Sequence, residues 1–110
     1  MKIRTWLTVA AAALATVLAP SAGAQSNYPD RPIRLIVPFP PGGTSDVVGR
    51  IFAEALGKQI GQPVVVENRG GAGGTVGTRA VASAPADGYT LLLGTSSTNG
   101  TNSAVYKNLP

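Results

Sequence analysis

The chain has 110 residues, of which nine are Lys or Arg and five are Asp or Glu, and it contains neither His nor Cys. The lack of His and Cys excludes the usual zinc and transition-metal ligands and any disulfide framework. The net charge of +4 is small and its Lys and Arg residues are scattered singly, so nothing indicates nucleic-acid binding.

The first 24 residues have the three parts of a secretory signal peptide. Lys2 and Arg4 form a short basic region, an uncharged stretch rich in Ala, Leu and Val follows at 6–18, and small residues occupy 22–24. We predict cleavage after Ala24, which would leave seven basic and five acidic residues and a net charge of +2. A membrane anchor is the weaker interpretation, because the strongly apolar part has about thirteen residues and a spanning helix needs about 20.

The next segment predicts a strand, a loop and a helix. A proline-rich lead-in at 28–32 precedes the apolar run IRLIV at 33–37, which is typical of a buried strand. The loop PFPPGG at 38–43 follows, and Thr44 or Ser45 can then cap a helix. The apolar residues of that helix recur at three- and four-residue steps and predict one continuous stripe: Val47, Val48, Ile51, Phe52, Ala55, Leu56 and Ile60.

Gly61 supplies the stop of this helix, and the alternation of strands and helices then continues. The further predicted elements are a strand at 63–67, a loop at 68–74, a helix at 75–84, a strand at 89–93, a loop at 94–100 and the start of a helix at 102–106. This order predicts an α/β fold with parallel strands joined by right-handed crossovers. Because the chain stops on Pro110 just after a new element begins, we expect it to be a fragment of a longer protein.

The three strand-to-helix loops are rich in glycine or in small polar residues. In a parallel sheet such loops emerge at the carboxyl edge, where open α/β folds bind ligands. Gly42 and Gly43 allow close approach of the backbone, and the helix after them offers N–H groups that favour a carboxylate or a phosphate. A purely turn-forming role explains these glycines equally well.

Enzyme motifs are weak in this chain. The first loop has Thr44-Ser45-Asp46 where a phosphate-binding P-loop needs Lys, and the second loop has GxGxxxG, one residue longer than the dinucleotide fingerprint. Ser96 and Ser97 have no His to activate them, so we interpret them as hydroxyl donors. The alternative function is an α/β enzyme that binds a nucleotide or phosphate through these loops, or a non-functional truncation.

Three long strings carry a family resemblance: YPDRPIRLIVPFPPGGTSDVVGR, GQPVVVENRGGAGGTVGT and ADGYTLLLGTSS. In their order and spacing, from Tyr28 to Pro110, the chain resembles the receptors of tripartite tricarboxylate transporters, the Bug-type periplasmic solute-binding proteins. The resemblance implies a parallel-sheet βαβαβ segment of a two-lobed Venus-flytrap fold, with 25–110 forming part of the first lobe. It also implies a periplasmic protein that is not an enzyme and needs no cofactor, and we expect a monomer at full length.

The resemblance further implies capture of a small organic carboxylate and its delivery to membrane permease subunits. The residues that match the family's two ligand-gripping loops are Phe39, Gly42, Gly43, Thr44 and Asp46 in the first loop, and Thr95, Ser96 and Ser97 in the later one. Asp46 is a candidate either for ligand contact or for capping its helix and ordering water. The loop 68–74 is expected to be structural, with Asn68 and Arg69 tying loops together. Half of the two-lobed cleft is expected to lie outside this chain.

Overall fold

The computed structural model describes residues 27–109, so the predicted signal segment at 1–24 lies outside the described residues. The elements in chain order are β1 (Ile33–Val37), α1 (Thr44–Ile60), β2 (Val64–Asn68), a 3₁₀ turn (Ala72–Gly74), α2 (Thr75–Ala82), β3 (Thr90–Leu92), a π-helical turn (Ser97–Thr101) and α3 (Asn102–Val105). The predicted alternation is confirmed, and the ends of β2, α2 and β3 differ from the prediction by one or two residues.

The sheet has three parallel strands in the order β2-β1-β3, so β1 is central. Leu35 of β1 pairs with Val66 of β2 and with Leu91 of β3. Apart from Arg34, every residue of β1 is at most 3% exposed. Burial on both faces explains why the strand is a continuous apolar run instead of an alternating one.

The two main helices lie on opposite faces of this sheet. The β1-to-β2 and β2-to-β3 connections run in opposite directions across the sheet, so right-handed crossovers place α1 and α2 on opposite sides. Their contacts agree with this arrangement. Gly49 of α1 faces the Val37 side chain and Gly57 faces Val64, whereas Gly77 of α2 lies against Pro38.

The ends of α1 are made by glycines. Gly43 is the N-cap, in extended conformation and without a side-chain cap, so the prediction that Thr44 or Ser45 caps the helix is wrong. Asp46, inside the first turn, reaches back to accept a hydrogen bond from the Gly42 N–H in the loop and leaves the first N–H groups of the helix uncapped. At the other end Gly61 has a φ of 71° and its N–H donates to the Gly57 carbonyl, which confirms the predicted stop.

The apolar stripe predicted along α1 is not the face that packs on the sheet. Within the described residues, Val47, Val48, Ile51 and Phe52 are between 48% and 65% exposed. The buried positions of α1 are instead Asp46, Gly49 and Ala53. The physical reason is close approach: a Cβ at Gly49 would lie 2.8 Å from Val37 Cγ2, so only small residues fit against the sheet. None of the helices within 27–109 has the length and hydropathy needed to cross a membrane.

The lead-in segment is attached to the start of β3 by polar and aromatic contacts. The Tyr28 hydroxyl donates to the Gly88 carbonyl at 2.6 Å, and the Tyr89 hydroxyl donates to Asp30 at 2.7 Å. The Arg31 guanidinium stacks 4.0 Å from the centre of the Tyr89 ring. These contacts lie at the amino edge of the sheet, opposite the strand-to-helix loops.

Substitution of Gly77 by Ala tests the close packing of α2. A Cβ there would lie 2.7 Å from the Arg69 carbonyl oxygen and 2.9 Å from Pro38 Cα, both backbone atoms with little freedom to move. We expect Gly77→Ala to lower the free energy of unfolding by about 1–3 kcal/mol in urea denaturation. Gly100→Ala is the matched control, because a Cβ at Gly100 meets no atom within 4 Å. Equal stability of the two variants would contradict the packing described.

Candidate functional site

The topology predicts a crevice between the adjacent carboxyl ends of β1 and β3. The loop after β1 leads into α1 on one face. The segment after β3 leads into the π-helical turn, which contacts the 3₁₀ turn that precedes α2 on the other face. Adjacent strands whose loops diverge in this way mark the ligand site of open α/β sheets. The predicted site residues of both loops, which are Phe39, Gly42, Gly43, Thr44, Asp46, Thr95, Ser96 and Ser97, lie at this edge.

The first loop leads directly into the amino end of α1, which lies at the carboxyl edge of the sheet. Gly42 has a φ of 85°, a left-handed conformation that favours glycine, and a Cβ there would meet no atom within 4 Å. The N–H groups of Gly43, Thr44 and Ser45 precede the first intrahelical hydrogen bonds of the 17-residue helix α1. None of the described residues accepts a hydrogen bond from them. These N–H groups therefore form an electropositive end that suits an anion.

Asp46 is the only buried charged side chain among residues 27–109, at 5% exposure. Its Oδ2 accepts hydrogen bonds from the Gly42 N–H at 2.9 Å and from Arg50 Nε at 3.2 Å. Its Oδ1 accepts from Asn68 Nδ2 at 3.0 Å and lies 3.0 Å from the Arg50 guanidinium. The Gly42, Arg50 and Asn68 donors hold the pKa of Asp46 down at about 2. Both carboxylate oxygens are thus engaged in ordering the loop.

Asn68 and Arg50 complete this network, and local sequence patterns did not reveal the role of Arg50. The Asn68 amide also donates to the Phe39 carbonyl at 3.1 Å, and its own Oδ1 accepts from Arg50 at 3.3 Å. The expectation that Asn68 ties loops together is confirmed. For Arg69 it holds only through the backbone, because the N–H donates to Val37 O whereas the side chain pairs with Glu67 of the same segment.

The second loop lies between the other two and supports both. Even a methyl side chain would be crowded at two glycines of this loop. A Cβ at Gly70 would lie 3.2 Å from Pro40, and one at Gly74 would lie 2.7 Å from Thr98 and 3.5 Å from the Phe39 ring. Buried Asn102 at the start of α3 donates to the Gly73 carbonyl at 2.9 Å. The structural role expected of this loop agrees with these contacts.

The third loop is shorter than predicted. Residues 94–100 were expected to be a loop, but the helical turn begins at Ser97, and Thr95 and Thr98 are joined by reciprocal hydrogen bonds at its start. The Thr95 N–H donates to Thr98 Oγ1 at 2.9 Å, and the Thr98 hydroxyl in turn bonds to the Thr95 carbonyl. Thr95 is therefore occupied mainly in its own turn, while Ser96 is exposed and Ser97 half-buried at the crevice edge.

The parallel α/β arrangement of the described residues is that of the periplasmic solute-binding proteins. The chain belongs to a family within that class, the tripartite tricarboxylate transporter family receptors, whose family profile matches residues 48–110. The Bordetella pertussis protein BugT is 62% identical over 71 residues, which are 64% of this chain and 22% of BugT. The matching family is one of receptors.

Solved structures agree with the family and with the fold. The structure of a periplasmic transporter is 49% identical with a TM-score of 0.73, over 76% of this chain and 28% of that one. MatC from Rhodopseudomonas palustris, solved with bound malate, is 40% identical with a TM-score of 0.72, over 74% of this chain and 28% of its own. A second R. palustris protein, solved with adipate, is 43% identical with a TM-score of 0.61, over 63% and 23%. The chain thus spans less than a third of each of these proteins.

The Asp46 network makes a prediction about acid stability. Since its pKa in the folded protein is about 2, below the ordinary 3.8, its interactions stabilise the fold above about pH 4 and are lost as the pH falls towards 2. We expect the stability difference between the natural protein and Asp46→Asn, measured by urea unfolding, to be largest at neutral pH and to shrink as the pH falls from 4 towards 2. Glu54→Gln, which breaks an exposed ion pair with Lys58, is the control and should change stability little. A difference independent of pH would contradict the network.

Proposed function

We propose that this chain contributes to a periplasmic receptor that captures a small organic carboxylate and delivers it to the permease subunits of a tripartite tricarboxylate-type transporter. The observation that carries the proposal is the likeness in fold to MatC, a receptor solved with malate, over 74% of this chain. The amino end of α1 at the crevice supports it, because unpaired N–H groups and a helix dipole stabilise a carboxylate.

The proposed roles follow the two loops. Gly42 shapes the first loop, and the N–H groups of Gly43 and Thr44 contact the carboxylate. Exposed Ser96 and half-buried Ser97 follow the neighbouring strand β3, and their hydroxyls are proposed to complete the contact. Asp46 is proposed to act on the ligand only through the loop, since both of its oxygens already accept hydrogen bonds within the protein.

Export and delivery are also part of the proposal. The basic, apolar and small-residue regions of 1–24 support export by a cleaved signal peptide. The described residues supply one wall of the proposed cleft, and a second lobe closing on it would shield the ligand from water.

Titration of the isotope-labelled chain with carboxylates, followed by amide NMR, tests the proposal. Malate and adipate should shift the amides of Gly43, Thr44 and Ser96, whereas glucose should not, because it lacks a charge for the helix end to stabilise. Saturable shifts of the same amides with ATP but with no carboxylate would favour a nucleotide-binding enzyme instead. If no tested carboxylate shifts these amides in a folded sample, the proposed contact of these N–H groups with a carboxylate is wrong.

The role of the backbone is separated from that of the side chain by two substitutions at one position. Thr44 is the first helical residue, where proline is tolerated, and Gly43 before it is already extended, so Thr44→Pro removes one N–H without disturbing α1. We expect malate to bind about tenfold more weakly to Thr44→Pro, as for loss of a charge-assisted hydrogen bond. Thr44→Val keeps the N–H and removes only the hydroxyl. A larger loss with Thr44→Val than with Thr44→Pro would contradict the backbone contact.

A further inference from the structure

A buried carboxylate lies at the place where the proposed site must accept an anion. Asp46 Oδ2 is 2.9 Å from the Gly42 nitrogen, one residue before the N–H groups proposed to contact the ligand. An unpaired negative charge there would repel a carboxylate ligand. It would also reduce the positive potential that the amino end of α1 offers to that ligand. The negative potential of Asp46 must therefore be neutralised within the protein if the crevice is to accept an anion.

Arg50 meets this need by its position one helical turn later. Its guanidinium contacts both carboxylate oxygens, at 3.2 Å from Oδ2 and 3.0 Å from Oδ1, and thus pairs with Asp46 in a fork. The fork is further fixed by the contact of the guanidinium with Asn68 Oδ1 at 3.3 Å. Arg50 itself is 55% exposed at the side chain, so its removal leaves the sheet core untouched.

We propose that Arg50 is a positioning residue for carboxylate capture: it neutralises Asp46 and holds that carboxylate against the Gly42 N–H, so that the N–H groups of Gly43 to Ser45 stay available to an anion. This inference rests on the proposed function, because it concerns how the same crevice accepts a negative ligand. It assigns no ligand contact to Arg50, whose effect passes through Asp46.

The proposal has a consequence that a purely structural role does not share. Removal of Arg50 uncovers one negative charge beside the crevice, so binding of a doubly charged ligand should suffer more than binding of a singly charged one. Succinate and its monoamide, succinamate, are a suitable pair because they have nearly the same shape and differ by one charge. A loop that had merely lost its order would bind both more weakly by the same factor.

The experiment compares Arg50→Gln with Lys58→Gln in the full chain, by NMR titration with succinate and succinamate. Lys58→Gln is the matched control: it removes one positive charge from the same helix and breaks an exposed ion pair with Glu54 at 2.7 Å. Lys58 lies about 21 Å along the helix axis from Thr44 at the amino end of α1, well beyond a Debye length of about 8 Å at physiological salt. Arg50→Lys keeps the charge without the fork, and Asp46→Asn combined with Arg50→Gln removes both charges.

We expect Arg50→Gln to weaken succinate binding about fivefold, the upper end for a partly exposed charge near a helix terminus, and succinamate binding by a smaller factor. Lys58→Gln should change neither, and the double variant and Arg50→Lys should recover part of the loss. Equal loss of both ligands, or the same affinity in Arg50→Gln as in Lys58→Gln, would overturn the proposal. If Arg50→Gln does not fold, Arg50→Lys takes its place, and a loss of succinate binding no larger than the loss of succinamate binding in Arg50→Lys overturns the proposal. Absence of binding by the natural chain would instead count against the receptor function itself.

Discussion

The pairing of β1 along both of its edges is the constraint on which the rest of the structure depends. The strand is buried on both faces, and its last two carbonyls accept hydrogen bonds from the first residues of the loops that follow β2 and β3. Val37 O accepts from the Arg69 N–H at 2.8 Å, and Ile36 O accepts from the Leu93 N–H at 2.9 Å. The loops after all three strands therefore start from one rigid line, and the crevice between them is set by the sheet and not by the loops' own conformations.

The first loop adds a second constraint, which is electrostatic. Glycine allows the Gly42 conformation but does not select it, because glycine is free to adopt many others. The selection comes from Asp46, which holds the Gly42 N–H, and from Asn68, which holds the Phe39 carbonyl. A charged side chain thus orders a loop that is proposed to bind a ligand of the same charge, and Arg50 makes the two compatible. Loop order and anion affinity are in this way controlled by a single ion pair.

Much of the fold could be predicted from local sequence. The strands are recognisable as apolar runs, and α1 as a segment with helical periodicity, each bounded by prolines or glycines. Gly61 ends α1 as expected. The inward face of α1 could not be predicted, because hydrophobicity favours the Val47 and Ile51 side, whereas the packing distance favours Gly49 and Ala53. Periodicity shows where apolar side chains recur along the helix, whereas the distance between helix and sheet depends on the volume of the side chains between them.

The candidate site was predicted from its glycine loops, but the hydrogen bonds within it were not predictable. Arg50 and Asn68 meet Asp46 from one helical turn away and from another strand, and no local motif relates the three. The reciprocal hydrogen bonds of Thr95 and Thr98 were missed because a run of small hydroxyl residues is typical both of loops and of helix starts. Side-chain partners from distant segments become visible only once the sheet has brought the segments together.

The contacts of the lead-in segment have a practical consequence. Tyr28 and Asp30 fasten the beginning of the described chain beside Gly88 and Tyr89, at the edge of the sheet remote from the crevice. A fluorophore or surface linker attached ahead of Tyr28 would therefore stand on the far side of the molecule from any bound solute. A protein immobilised through this segment would keep the edge of the sheet that carries the candidate site open to solution.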